Sequence, residues 1–214
     1  MAPAACFEKV LLPTDGSEFS RAAEEIGIEL CRRGGAQLVV MRVVLKGGGF
    51  GYLVAEPAAK QQAAAAEHLA RLKREAESAG VTCVAALRTA DDPYKGIVQE
   101  AKDAKADVIV MGRRGRRGLA RLMLGDATAK VIGYAPCSVM VVPETSAMWR
   151  RVLLATDGSP DAEAAAAIAS TVAKCFENPL DVLSVRVPTH SMERQAEAQL
   201  IVDRTLASLA GQGL

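Results

Sequence analysis

"KVLLPTDGSE" (residues 9–18) returns as "RVLLATDGSP" (residues 151–160), 142 positions later in a chain of 214 residues. Each copy holds a short run of valine and leucine that stops at Thr-Asp-Gly-Ser, a cluster of turn formers. Such a run reads as a buried strand followed by a loop. What surrounds the two copies decides the fold.

Downstream of the first copy, Ala22, Ile26 and Leu30 recur every four residues with Glu24, Glu25 and Glu29 between them, and Ser17 offers an N-cap. That spacing predicts an amphipathic helix, ended by Gly34-Gly35. "QLVVMRVV" (37–44) is a second buried strand, followed by the glycine-rich "KGGGFGY" (46–52). A long helix is expected from about Pro57 to Ala79, with Ala65, Leu69, Leu72 and Ala76 inward and Glu67 to Arg71 as an i,i+4 pair outside. "VTCVAALRT" (81–89) is a third strand, and Asp92-Pro93 opens a helix through Lys105. "ADVIVMG" (106–112) is a fourth strand, a helix from about Asp126 to Gly133 follows, and "SVMVVP" (138–143) is the fifth strand. Strands alternating with helices imply an α/β fold, an open parallel sheet with helices on both faces.

The second copy keeps the frame. Pro160 opens a helix in which Ala164, Ile168 and Val172 repeat the spacing of Ala22, Ile26 and Leu30, "PLDVLSVRV" (179–187) matches the second strand, and residues 190–214 read as the second long helix. It contains β-α-β-α and stops where a third strand would begin. The expected organisation is a complete domain at 1–148 and a partial repeat at 149–214.

Composition agrees with this class. Half of the residues are hydrophobic but only 4% are aromatic, so the core is built of Val, Ile, Leu and Ala. Net charge is +1, which provides no global attraction to nucleic acid or to an anionic membrane. No apolar run approaches the roughly 18 residues of a membrane span, and no basic-then-apolar leader precedes "FEKVLLP"; a cytoplasmic protein is expected. Five cysteines without C-x-x-C spacing read as reduced, packing thiols, and no metal site is expected.

In an open α/β sheet, ligands bind beyond the carboxyl ends of strands whose connections diverge. Two loops qualify: Pro13-Thr14-Asp15-Gly16, and "MGRRGRRGLARLMLGDAT" (111–128), where glycines at 112, 115 and 125 permit close backbone approach and a helix start offers free N–H groups to an anion. The cluster "RRGRR" (113–117), without interleaved aromatics, reads as a solvated or phosphate-facing loop rather than a nucleic-acid surface. Asp157 belongs to a copy with no glycine loop and reads as a turn residue. His68, on a polar helix, and His190, in a loop, read as exposed. No nucleophile, base and orienting group emerge together, so no catalytic residues are assigned and no enzyme is expected.

The "LLPTDGS" loop, the Asp92-Pro93 helix start, the loop with Gly112, Gly115 and Gly125, and "CSVMVVP" (137–143) together resemble the universal stress protein family, in a tandem type with a truncated second copy. The resemblance covers residues 7–143 as a complete unit and 150 to about 210 as a partial one. It implies a Rossmann-like sheet of order 3-2-1-4-5 and a stress-response protein binding ATP or a related adenine nucleotide as a regulatory ligand. By position, Pro13, Thr14 and Asp15 would meet the adenosine, Val43 the adenine, and Met111 and Gly112 the nucleoside. Gly115, Gly125, Asp126, Ala127 and Thr128 would wrap ribose and phosphates. The family also implies pairing through fifth strands, so a homodimer or an intrachain pseudo-dimer is expected.

Asp126 departs from the hydroxyl residue usual after the last glycine. An ionised carboxylate cannot donate to phosphate, and at about 4 Å and an effective dielectric near 20 it repels a like charge by up to roughly 4 kcal/mol. Arg113, Arg114, Arg116, Arg117 and Arg121 would offset this, or Mg2+ would bridge Asp126 to the phosphates. Alternatively Asp126 caps its own helix and closes the site. The chain would then be a nucleotide-independent interaction module, and a slow ATPase is the remaining reading.

Overall fold

A computed structural model describes residues 7–46, 58–114, 124–189 and 191–211. The chain divides into two compact units, Phe7–Met148 and one that includes Trp149–Leu214.

In the first unit, β1 (Lys9–Pro13), α1 (Arg21–Gly34), β2 (Gln37–Leu45), α2 (Ala58–Ser78), β3 (Cys83–Ala90), α3 (Pro93–Ala104), β4 (Val108–Gly112), α4 (Asp126–Tyr134) and β5 (Ser138–Val142) follow in strict alternation. The five strands form a parallel sheet of order β3-β2-β1-β4-β5, as the resemblance implies. The central strands are apolar on both faces because both are covered: Val10, Leu11, Leu12, Leu38, Val40, Val108, Ile109 and Val110 are all buried. Helices α1 and α2 pack on β1 and β2, while the opposite face joins Leu11, Val39, Met41, Ile109 and Met111 to Ile97 and Ala101 of α3 and Val131 of α4. The connections after β1 and β4 thus leave toward opposite faces, and the crevice between these neighbours is the switch point.

Helix α1 starts later than its pattern suggests. Ser17 precedes only a 3-10 turn (Glu18–Ser20) and makes no side-chain cap bond; the α-helix begins at Arg21. Asp92 does cap α3, accepting from the Tyr94 N–H at 3.3 Å, with Pro93 following. Arg71 pairs with Glu75 at 2.5 Å rather than with Glu67.

The second unit has β6 (Val152–Ala155), α5 (Pro160–Cys175), β7 (Leu180–Leu183) and α6 (Met192–Gly211). Its register repeats the first at the 142 offset: Val10↔Leu38 becomes Val152↔Leu180, and Pro13↔Met41 becomes Ala155↔Leu183. Two expectations fail here for one reason. Beyond Met41, strand β2 is held only by β3, through pairs such as Val43↔Arg88; among the described residues β7 has no such neighbour and ends at Leu183. Likewise Ala22, Ile26 and Leu30 are buried where α1 also packs on β4 and β5, but Ala164 and Ile168 are exposed on α5, whose buried residues are Ser170 and Ala173.

The reading of five reduced thiols also needs correction. Cys31, Cys83 and Cys137 are free, whereas Cys175 is disulfide-bonded; Cys6 lies outside the described residues. A disulfide requires only closeness in space, which linear spacing does not reveal. No helix among the described residues is long and apolar enough to cross a membrane.

Candidate functional site

Strand β1 delivers the chain to the switch point and the Thr-Asp-Gly-Ser sequence turns it there. The Thr14 N–H donates to the Met41 carbonyl at 2.9 Å, closing the β1–β2 ladder. The Thr14 hydroxyl oxygen accepts from the Gly16 N–H at 3.0 Å, and Gly16 adopts φ +69°, a conformation in which glycine is favoured. Asp15 Oδ1 accepts from the Ser17 N–H at 3.0 Å, the Ser17 hydroxyl at 2.6 Å and the Ser20 hydroxyl at 3.2 Å. This is an Asx turn with two added hydroxyl contacts, and it fixes the carboxylate at the mouth of the crevice.

Beneath the turn lies a polar group outside the candidate residues. Glu24 is buried and accepts from the Thr14 hydroxyl; His68 Nε2 lies 3.1 Å from Glu24 Oε1, and Arg71 approaches Oε2 at 3.8 Å. Arg71 is also 3.3 Å from His68 Nδ1. The expectation of an exposed, partnerless His68 is therefore wrong: α2 lays its polar flank against α1 at this level. A signal was present, since Ser20, Glu24, Gly27 and Cys31 form a second helical stripe and all four are buried.

On the other side of the crevice, β4 ends in buried Met111 and Gly112. A Cβ on Gly112 would stand 2.9 Å from the Phe19 carbonyl oxygen and 3.1 Å from that of Arg114, and one on Gly125 would stand 3.3 Å from Arg113 O. Both glycines are thus required by the packing of the backbone on itself, in addition to any approach of a ligand. The Gly125 N–H donates to Arg113 O at 2.9 Å, and the Thr128 hydroxyl donates to Gly112 O at 3.0 Å, so the start of α4 is stitched to the end of β4.

Asp126 is the first residue of α4, not its cap. The N-cap is Gly125, which has no side chain to cap with. The carboxylate is 79% exposed and pairs with Lys130 one turn on at 2.8 Å; Lys130 also reaches Asp92 at 3.2 Å and lies over the Tyr94 ring at 5.5 Å. The Asp126 and Asp92 carboxylates hold the Lys130 ammonium above the usual lysine range. The capping alternative for Asp126 is not what the chain adopts. Arg114 is buried, paired with Glu144 and packed over Phe19 at 5.5 Å, so its charge is locally balanced rather than adding to a positive field. Gly115, Arg116, Arg117, Arg121 and His190 lie outside the described residues.

Of the candidate residues, Gly112, Gly125 and Thr128 are brought into direct contact, and Ala127 lies between the latter two in α4's first turn. Pro13 and Thr14 meet strand β2 at Met41. Val43 packs with Met111 against the same core cluster, on the face of α3, where a Cβ on Gly96 would stand 2.8 Å from Val43. Among the described residues no group of three or more His, Cys, Asp or Glu could hold a metal ion. In the second unit Asp157 is a turn residue, Oδ1 accepting from the Ser159 N–H at 2.9 Å.

Comparisons with known proteins agree with this architecture. A universal stress protein from Methanocaldococcus jannaschii is 33% identical over 143 residues, covering 64% of this chain and 82% of the relative. One from Synechocystis is 28% identical over 151 residues, 64% of this chain and 97% of its own. In fold, a universal stress protein from Archaeoglobus fulgidus superposes with TM-score 0.70 at 21% identity over 94% of this chain and 74% of its own, and a family member from Burkholderia pseudomallei with 0.53 at 21% over 66% and 99%. The universal stress protein family model matches residues 7–143, and the chain belongs to that family.

Proposed function

We propose that the first unit binds an adenine nucleotide, ATP or a relative, as a regulatory ligand in the crevice between β1 and β4, without a dedicated reaction of its own. The observation that carries this is the N-terminus of α4: a helix start whose N-cap is a glycine, stitched to the end of β4 and adjoining the switch point. Free N–H groups and the positive end of the helix dipole suit a phosphate. Asp15 and Thr14 would meet the nucleoside across the crevice, with Val43 and Met111 as its apolar floor.

Asp126 does not sit in the anion position, and its charge is answered by Lys130. That supports a site open to phosphate. Mg2+ would enter with the nucleotide, Asp126 contributing one oxygen and the phosphates the others, because the described residues offer no metal cluster of their own. A cytoplasmic stress-response role accompanies this reading.

Calorimetric titration with ATP, with and without Mg2+, tests it on the native chain, Asp15→Ala and Asp126→Ser. Saturable binding lost in Asp15→Ala is expected. Equal binding by Asp15→Ala, or none by the native chain and by Asp126→Ser, overturns it.

A second reading is favoured by a different observation. The second unit reads as the opening β-α-β-α of another family domain, making the chain a tandem with a partial second copy. Leu153 and Leu183, the counterparts of Leu11 and Met41, are 63% and 45% exposed. An uncovered apolar sheet face of this kind supports an interaction module, with a homodimer as the occupant. Concentration-dependent sedimentation that Leu153→Asp abolishes is the expected result, and a monomer at every concentration removes this reading.

A further inference from the structure

The two copies of the Thr-Asp-Gly-Ser turn are an internal control. In the first, the Gly16 N–H reaches Thr14 Oγ1 at 3.0 Å, the Ser17 N–H reaches Asp15 Oδ1 at 3.0 Å, and Gly16 has φ +69°. In the second, the matching values are 3.1 Å, 2.9 Å and +75°. The threonine N–H donates to the neighbouring strand in both, to Met41 O at 2.9 Å and to Leu183 O at 2.8 Å.

What lies beneath the turns is different. Under the first are Glu24, His68 and Arg71, and a Cβ on Gly16 would stand 3.1 Å from Arg42 Nη1 and 3.5 Å from the His68 ring. Under the second, Glu24 is replaced by Ala166, Arg42 by Ser184, and the side chain facing Gly158 is Ile201 at 3.0 Å. An apolar bed therefore suffices to make this turn. A buried carboxylate costs free energy unless it is well paired, so its presence under one turn only points to a task the turn's shape does not impose.

We propose that Glu24 and His68 are positioning residues for the nucleotide at the Asp15 turn, coupling its binding to the protonation of His68. This rests on the nucleotide reading of the same crevice. The hydrogen-bond partners assign the arrangement. Arg71 donates to His68 Nδ1, His68 donates through Nε2–H to Glu24, and Thr14 donates its hydroxyl hydrogen to the same carboxylate. Thr14 is thereby locked with its lone pair toward Gly16. The charged groups facing His68 are Glu24 from α1, Arg42 from β2, Arg71 from its own helix with its ion-pair partner Glu75, and the adjacent Asp15. Protonation adds one positive charge beneath a turn that would face a polyanion. Imidazole is the side chain that changes charge between about pH 5 and 8. Affinity for ATP should therefore rise as pH falls, while affinity for uncharged adenosine should not.

The experiment is calorimetric titration of the full chain with ATP and with adenosine at about pH 7.5 and about pH 5.5, comparing native protein, His68→Gln and Glu24→Ala. A glutamine can bridge Arg71 and Glu24 without titrating, so the readout in His68→Gln is the ratio of its ATP affinities at the two pH values. This variant should lose the acid-side gain, an effect of about two- to fivefold. Glu24→Ala reproduces the alanine beneath the second turn, so folding should survive, checked by circular dichroism, while ATP affinity falls about tenfold, one lost charge-assisted hydrogen bond. Native-like pH dependence in His68→Gln, or native-like affinity in Glu24→Ala, overturns the proposal and leaves the nucleotide reading standing. Absence of ATP and adenosine binding by the native chain removes both.

Discussion

Leu11 and Leu153 hold the same register position in two parallel strand pairs, Leu11 opposite Val39 and Leu153 opposite Asp181, yet Leu11 is fully buried and Leu153 is 63% exposed. The difference lies in what covers them. Leu11 belongs to the cluster completed by α3 and α4, elements for which the second unit has no counterpart among the described residues.

Leu11→Ala should therefore destabilise the first unit by about 2–5 kcal/mol, the transfer term plus a cavity that a close-packed core relaxes poorly. Leu153→Ala should cost less than about 1 kcal/mol in dilute protein. Urea denaturation of both variants measures this, and equal losses would show that a partner covers the Leu153 face.

Two glycines should respond in opposite directions to alanine. Gly112→Ala drives a Cβ into two carbonyl oxygens of the backbone and should cost about 1–3 kcal/mol. A Cβ on Gly133, near the end of α4, would meet nothing within 4 Å, so Gly133→Ala should be neutral or stabilise by up to about 1 kcal/mol. Thermal unfolding of the pair reads both signs; stabilisation by Gly112→Ala would refute the packing account.

Hydrogen bonding by Arg32, assisted by Arg33, holds the Glu29 carboxyl down to about 2. A depressed carboxylate contributes stability that is present above the ordinary carboxylate range and lost as pH falls toward about 2. The contribution is small because the cluster is largely exposed. Carboxyl-carbon NMR titration should find Glu29 among the last acids to protonate, and an ordinary titration midpoint would show that the ion pairs are not maintained in solution.

Burial pushes the Cys31 thiol up to about 12, with the nearby Cys83 adding to the shift. The stability linked to it is full below the ordinary thiol range and is lost as pH rises toward about 12. An aromatic disulfide reagent at pH about 8 should leave Cys31 unmodified until the chain unfolds, since the thiolate is the nucleophile. Cys137, only half-buried, should react first. Rapid modification of Cys31 in the native state would contradict this.

The fold was legible because each strand and helix of the first unit carries its own periodicity and punctuation. Lys9–Pro13 ends in turn residues, Asp92-Pro93 opens a helix, and "VIVMG" runs into glycine, so local pattern and global topology agree. The candidate crevice could be placed from the ends of its strands, Pro13 to Gly16 after β1 and Gly112 at the end of β4, but its supports could not. Glu24 and His68 are forty-four residues apart on different helices, each looking like a surface residue on its own helix. Only the packing of α2 beside α1 turns them toward each other and toward Thr14.

The repeat at an offset of 142, the alternation of strands and helices, and the chemistry of the Thr-Asp-Gly-Ser turn were determined by sequence alone, because they depend on residues close together in the chain. Tertiary structure decided what repetition cannot express. The same turn rests on charge in one copy and on Ile201 in the other, and the same strand position is buried at Leu11 and exposed at Leu153. Asp126, instead of capping α4, turns to Lys130. In each case the outcome depends on which distant element arrives to cover or pair a group, and burial, unlike periodicity, is a property of neighbours that the chain supplies from far away.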